Sequence, residues 1–269
     1  MTYITEDRSG EEVLFEKPGY RIRLARNRRA VGNLLERMYR WRGYKAEGLA
    51  VPSPGTFNQI TLEAVSGDET VGTITIGLDS PLGLQGENLY KAEIAQYRQR
   101  GARVCEYSKL AVSPDCSCKK VLAPLFHLAH IYAHLIHRAT DLFVEVNPRH
   151  AVFYRRLLGF SQVGAEKTCP RVNAPAVLLH LDLNYAAEQV SIYGGGRKTC
   201  GRSLYPEVFS PQEQEALRRK IETMERTPSF SVPPSRASVH SRNQAEQNGG
   251  YVPMPLIPAR GGEFVGLNA

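Results

Sequence analysis

The stretch Val144-Glu145-Val146-Asn147-Pro148-Arg149-His150-Ala151-Val152-Phe153-Tyr154-Arg155-Arg156-Leu157-Leu158-Gly159-Phe160 changes its period midway. Asp141–Val146 is a short apolar run of strand type, and Asn147-Pro148 ends it. Asn is a strong helix N-cap, and Pro in the first turn gives up a donor that the helix does not need. The spacing predicts a helix to Leu158, closed by Gly159 in the left-handed C-cap. A strand therefore hands the chain straight to a helix N-terminus, whose free N–H groups and partial positive charge favour anions. Arg149 and His150 fall in that first turn. Tyr154 stands one turn further on, where its phenol can give a proton to a leaving group at the strand end. The plainer alternative makes Phe153, Leu157 and Leu158 core and Tyr154 an amphipathic residue at its edge.

Working outward, Arg103–Val112 reads as a buried strand broken off by Ser113-Pro114. A helix over 119–138 follows, with Val121, Leu122, Leu125, Ala129, Tyr132 and Ile136 in one apolar stripe. Phe57–Val65 and Val71–Leu78 form a hairpin around Ser66-Gly67-Asp68. Upstream lie a strand, Tyr20–Leu24, and a helix over 27–40; Leu89–Arg100 is a helix ended by Gly101. Downstream, Phe160–Gly164 and Ala176–Leu183 supply two more strands. Hairpins mixed with crossover helices predict an α/β fold, one twisted mixed sheet flanked by helices. The expected organisation is a flexible arm over 1–18, a main domain over 19–192, a linker and C-terminal helix over 193–226, and a disordered tail over 227–269. Ser210-Pro211-Gln212-Glu213 is a capping box that opens the C-terminal helix. The tail is rich in Ser, Pro, Asn and Gly.

The chain has 269 residues, 42% of them hydrophobic, enough for a substantial core. Its net charge of +7 and pI of about 9.2 favour acidic partners without choosing among them. No helix-turn-helix, zinc-finger or RNA-binding signature accompanies that charge, so nucleic acid is not an expected partner. Peripheral contact with an anionic membrane stays open. The five cysteines lack a C-x-x-C pair, as free thiols in a reducing cytoplasm would. The acidic, polar first residues are not a signal peptide, and no run of about 18 apolar residues spans a membrane. The expected location is cytoplasmic.

Cys105-Glu106-Tyr107-Ser108-Lys109-Leu110-Ala111-Val112 places a lone carboxylate in a strand-like run, and buried charge needs a reason. Glu106 in such a place can take a proton from an amine, directly or through water, so that the amine attacks an acyl carbonyl. The alternative is an ion pair with Lys109 or Arg103.

The pattern N-x-x-[apolar]-x-F-Y-x-x-x-L-G-F at Asn147–Phe160 resembles the last crossover of GNAT-superfamily acyltransferases. Three segments together resemble the FeeM-type N-acyl amino acid synthases, relatives in fold of acyl-homoserine-lactone synthases. They are Glu106–Val112, Asn147-Pro148-Arg149-His150 with Phe153-Tyr154-Arg155-Arg156, and Val172-Asn173-Ala174-Pro175-Ala176. The resemblance spans about 20–192. It implies a GNAT-like fold and transfer of a long-chain acyl group from an acyl carrier protein thioester to the α-amine of an amino acid. Glu106 would be the base, Tyr154 the acid that protonates the departing thiolate, and Asn147 a residue that orders the site. The strand would splay from its neighbour, and N–H groups near Leu110, Ala111 and Val112 would hold the thioester carbonyl. No bound cofactor or metal is implied; an acyl-phosphopantetheine thioester is the co-substrate.

One segment departs from the superfamily. The usual R/Q-x-x-G-x-G/A loop, whose backbone holds coenzyme A pyrophosphate, is replaced by Ser113-Pro-Asp-Cys-Ser-Cys-Lys-Lys120, without glycines. Lys119, Lys120, Arg149, Arg155 and Arg156 would instead meet a phosphopantetheine phosphate or an acidic carrier protein. Arg37, Trp41, Arg42 and Tyr44 are weaker candidates for the acyl chain and substrate carboxylate, with Ser108 and His150. A different amine acceptor, an acyl-CoA donor, or a silent acyl-binding sensor on the same fold are the alternatives. His127, His130, His134 and His137 share one helix face opposite the apolar stripe. Lacking an H-E-x-x-H pattern, they are expected to form a polar face toward solvent or a neighbouring element.

Overall fold

The structure, a computed structural model, describes residues 13–25, 28–41, 43, 58–114, 118–170, 172–196 and 202–226. Val13–Lys17 (β1) and Tyr20–Leu24 (β2) pair antiparallel across Pro18-Gly19. Gly19 takes φ +95°, a conformation that L side chains rarely adopt. The flexible arm expected over 1–18 is thus corrected over its last residues, which form an edge strand; residues 1–12 lie outside the described residues. The Phe15 ring meets Phe209 edge-on at 4.6 Å, tying this strand to the C-terminal part of the chain.

Helix α1 (Arg28–Arg40) follows, then the hairpin β3 (Gln59–Ser66) and β4 (Glu69–Leu78), helix α2 (Glu87–Gln99) and strand β5 (Val104–Val112). Helix α3 (Cys118–His130) runs on into a π-helical segment, Ile131–Ile136. Next come β6 (Asp141–Val146), α4 (Pro148–Leu158), the short strands β7 (Ser161–Gln162) and β8 (Lys167–Cys169), and β9 (Ala174–Asp182). Helices α5 (Leu183–Tyr193) and α6 (Pro211–Arg226) complete the described chain. The sheet order is β1-β2-β3-β4-β5-β6-β9-β7, with β8 on β9. Every pairing is antiparallel except β5 with β6. This is the expected mixed sheet flanked by helices.

Strand alternation gives the sheet two unlike faces. Ile22, Leu62, Ile74, Tyr107, Leu110 and Val144 belong to the main apolar core, shared with α3, α4, α5 and α6. The alternate residues Glu63, Thr73, Thr75, Glu106, Ser108 and Glu145 are buried too, on the side of α1 and α2. Arg23 donates to Glu63 at 2.9 Å, Thr70 donates to the same carboxylate, and the Thr61 and Thr75 hydroxyls lie 2.9 Å apart. One face is therefore greasy and the other a buried polar floor.

The segment expected as a linker with a helix over 193–226 is also corrected. Leu204, Tyr205, Val208, Phe209, Leu217 and Ile221 are buried in the same core as the sheet. The capping box forms: Ser210 N–H donates to Glu213 Oε2 at 2.8 Å and Glu213 N–H to Ser210 Oγ at 3.3 Å. The expected disorder of 227–269 lies outside the described residues. Among the described residues no helix is long and apolar enough to cross a membrane.

Candidate active site

Strands β5 and β6 share only three rungs, Val104 with Asp141, Cys105 with Leu142 and Glu106 with Phe143. Both strands continue, to Val112 and Val146, without further pairing to each other. The sheet thus opens into a wedge just past Glu106. On its other edge β5 stays paired to β4, but with a bulge: Thr75 opposes Ser108 and Thr73 opposes Ala111, so Lys109 and Leu110 together face Ile74. Lys109 takes φ +51°, which costs a non-glycine residue about 1–2 kcal/mol. Strain of this kind gathers where backbone is shaped for a task. Leu110 closes the bulge, and Ala111 and Val112 follow it along the wedge.

Glu106 is 2% exposed, at the closed end of this wedge. Its carboxylate is held by backbone rather than left among apolar groups: Gln85 N–H donates to Oε1 and Gly86 N–H to Oε2, each at 2.9 Å. A carboxylate offers about four acceptor sites, and these bonds use one on each oxygen. Space is as tight as the bonding. A Cβ on Gly77, its register partner, would stand 2.8 Å from Glu106 Cγ.

Glu145 completes the floor from the β6 side, fully buried and two residues beyond the last shared rung. Its charge helps push the Tyr90 phenol upward, after the larger effect of burial. The signal that marks Glu106 in the sequence, one carboxylate in an apolar strand, marks Glu145 as well.

Lys109 is a residue whose position the sequence left unread. It is 1% exposed and, among the described residues, forms no hydrogen bond or ion pair. Burial pulls its ammonium down to about 8; Glu106 acts in the opposite direction, and Arg28 adds to the fall. The ion pair weighed for Glu106 with Lys109 is thus a field between neighbours, not a contact.

Tyr154 is fully buried on the apolar face, in T-shaped contact with Phe126 at 6.3 Å and Phe160 at 5.5 Å between ring centroids. Asn147 does the work of a cap and a clamp. Its Oδ1 accepts from Arg149 N–H at 3.1 Å, and its Nδ2 donates to the Pro175 carbonyl at 3.1 Å, fastening α4 to β9. Because β5 and β6 are parallel, α3 and α4 both begin at the open end of the wedge, where two helix N-termini favour an anion. Lys120 and Arg149 are exposed there, and His150 is half-buried beside them. The Lys119 side chain lies outside the described residues. Arg155 and Arg156 are exposed on α4 but about 9 Å further along it at 1.5 Å per residue, so the single basic cluster expected from sequence is divided.

Arg37 is paired on the surface with Glu69 at 3.0 Å. Trp41 stands 59% exposed at the end of α1. Arg42 and Tyr44 lie outside the described residues. Ser108 is buried on the polar floor in register with Thr75.

The histidine face turns inward, against the C-terminal segment. Phe209 N–H donates to His127 Nδ1 at 3.0 Å, so neutral His127 carries its proton on Nε2, 2.8 Å from Gln214 Oε1. The His130 ring lies tilted against His134 at 5.0 Å between centroids, and His137 reaches Glu225 at 3.4 Å.

The family model described as N-acyl amino acid synthase FeeM matches residues 30–182, more than half of the chain. The chain belongs to the FeeM family. The solved structure of FeeM, an N-acyl amino acid synthase from uncultured soil microbes, is 30% identical with a TM-score of 0.54. That match covers 62% of this chain and 97% of the FeeM chain. A GNAT-family acetyltransferase from Streptococcus pneumoniae aligns at 17% identity and TM-score 0.43, covering 61% of this chain and 99% of that one. The acyl-homoserine-lactone synthase LasI aligns at 12% and 0.44, covering 61% and 90%. Comparison with curated proteins gave no match. Membership makes the chain an N-acyltransferase, and the matched residues span α1 to β9, the whole of the wedge and its floor.

Proposed function

We propose that this FeeM-family enzyme moves a long-chain fatty acyl group from the phosphopantetheine of an acyl carrier protein to the α-amine of an amino acid. The observation that carries the reading is the parting of β5 and β6 immediately beyond the buried carboxylate of Glu106. An extended pantetheine arm fits a slot between two strands, and the exposed edge of β5 after the bulge offers N–H groups to a thioester carbonyl. Glu106 takes the proton from the attacking amine, and Tyr154 returns one to the thiolate. Asn147 keeps α4, and Tyr154 with it, in register with β9. The apolar core on the far side, with Leu110, Phe126 and Val146, suits a hydrocarbon chain. Lys120 and Arg149, at two helix N-termini, suit the phosphate or the acidic surface of a carrier protein. Loss of the glycine loop at 113–120 disfavours coenzyme A as donor.

The test is mass spectrometry of products from the full chain, given palmitoyl-loaded acyl carrier protein or palmitoyl-CoA with a pool of amino acids. The expected outcome is an N-palmitoyl amino acid from the carrier-protein donor. Product from CoA alone would keep the chemistry and overturn the donor. No product from either, with the carrier bound, would replace the enzyme with a sensor.

A further inference from the structure

Two of the buried polar groups that the transfer chemistry does not use stand together at the β5 bulge. Lys109 is 1% exposed with no hydrogen bond or ion pair among the described residues, and Thr73 is fully buried with its Oγ1 unbonded. They belong to adjacent strands at the β5 bulge: Thr73 opposes Ala111, and Lys109 faces Ile74, the next residue along. Thr73 lies on the side of the sheet that carries Glu106, and the charges of Glu106 and Arg28 both act on Lys109. A buried cation and a buried hydroxyl without partners are costly unless a ligand completes them. A carboxylate does so: it neutralises the ammonium and accepts from the hydroxyl.

We infer that Lys109 and Thr73 bind the α-carboxylate of the acceptor, so that the enzyme selects amino acids over simple amines. The inference rests on the reading of the chain as an N-acyl amino acid synthase and names the part of the substrate held at that site. An acceptor gripped by its carboxylate at the bulge has its α-amine two bonds beyond the carboxylate carbon, and Glu106 lies three residues back along the same strand. The depressed ammonium fits, because an arriving anion raises it again and holds the proton in place. The left-handed backbone at Lys109 fits as well, since with the bulge it breaks the strict alternation of side chains along β5.

The test compares the amino acid that the enzyme acylates with the amine lacking only its carboxyl group, each at saturating donor. The quantity read is the ratio of the two kcat/KM values. Lys109→Met keeps the length and apolar stem of the side chain, and Thr73→Val keeps its shape. The expected result is a fall in that ratio of about 10–100-fold for Lys109→Met, with a smaller fall for Thr73→Val, as for a lost charge-assisted and a lost neutral hydrogen bond. A variant that merely folds less well lowers both rates together and leaves the ratio unchanged, and an unchanged ratio in both variants would overturn the assignment. A wild-type enzyme that acylates the amine as well as the acid would overturn it too, leaving acyl transfer intact. A wild-type enzyme that acylates no amino acid from either donor would instead sink the functional reading, and this inference with it.

Discussion

Glu106→Gln should lower turnover by about 10²–10⁴-fold, the range for removing a general base. The side chain cannot be changed without touching the fold, because both carboxylate oxygens accept backbone N–H bonds from Gln85 and Gly86. An amide keeps one acceptor and turns an N–H group against the other donor, at a cost of about 1–3 kcal/mol in stability. The two effects separate in the measurement. Thermal melting reports the structural loss, and single-turnover acyl transfer on protein shown to be folded reports the chemistry. Glu145→Gln belongs beside it, since Glu145 is the second buried carboxylate at the wedge. Near-normal turnover in Glu106→Gln together with a collapse in Glu145→Gln would move the base across the gap from β5 to β6. Gly77→Ala adds a control that leaves every ionisable group in place. Its methyl group would stand 2.8 Å from Glu106 Cγ, so turnover should fall through displacement of the carboxylate alone.

The second large effect is on acid stability. Burial holds His127 down to about 4, although Gln214 and Glu213 act in the opposite direction. His130 is lowered well below its ordinary value by burial, with His127 and His134 adding to the fall. Folded protein therefore binds fewer protons at these sites than unfolded chain, which titrates near 6.5. Stability is full above about pH 6.5 and is lost as pH falls toward 4. His127 alone accounts for about 3 kcal/mol over that interval, at 1.36 kcal/mol per pKa unit. Protonated His127 would also turn an N–H toward the Phe209 N–H that it now accepts from. Urea unfolding at pH 7 and pH 4.5 should show a smaller acid loss in His127→Gln than in the wild type. Equal losses would show that the seam between α3 and the C-terminal segment does not carry the acid sensitivity.

What was legible in the chain was what is decided locally. Asn147, Pro148 and Gly159 mark both ends of α4 because caps are made within a few residues, and the β3–β4 hairpin follows from its two-residue turn. Two local signals were present and were overrun. Pro18-Gly19 announces the turn that makes Val13–Lys17 a strand, and Asp182, the last residue of β9, opens the unpredicted helix α5 by accepting from Asn184 N–H at 2.8 Å. β8 is only three residues long and exists because β9 passes beside it. At the site, Glu106 was legible as a charge in an apolar run. Lys109 was not, because its burial depends on a bulge in the pairing of β4 with β5, which no single strand encodes. The inward turn of the histidines was equally hidden, since Phe209 and Gln214 arrive more than 80 residues later.

Trp41 is the sole tryptophan of the chain and is 59% exposed at the end of α1. Its emission is therefore a single optical probe, uncontaminated by any second indole. An exposed indole emits toward the red, and an acyl chain or carrier protein that covers the end of α1 would shift the spectrum to the blue. The protein carries its own dye at the end of α1, and whatever covers that helix end can be followed without a label.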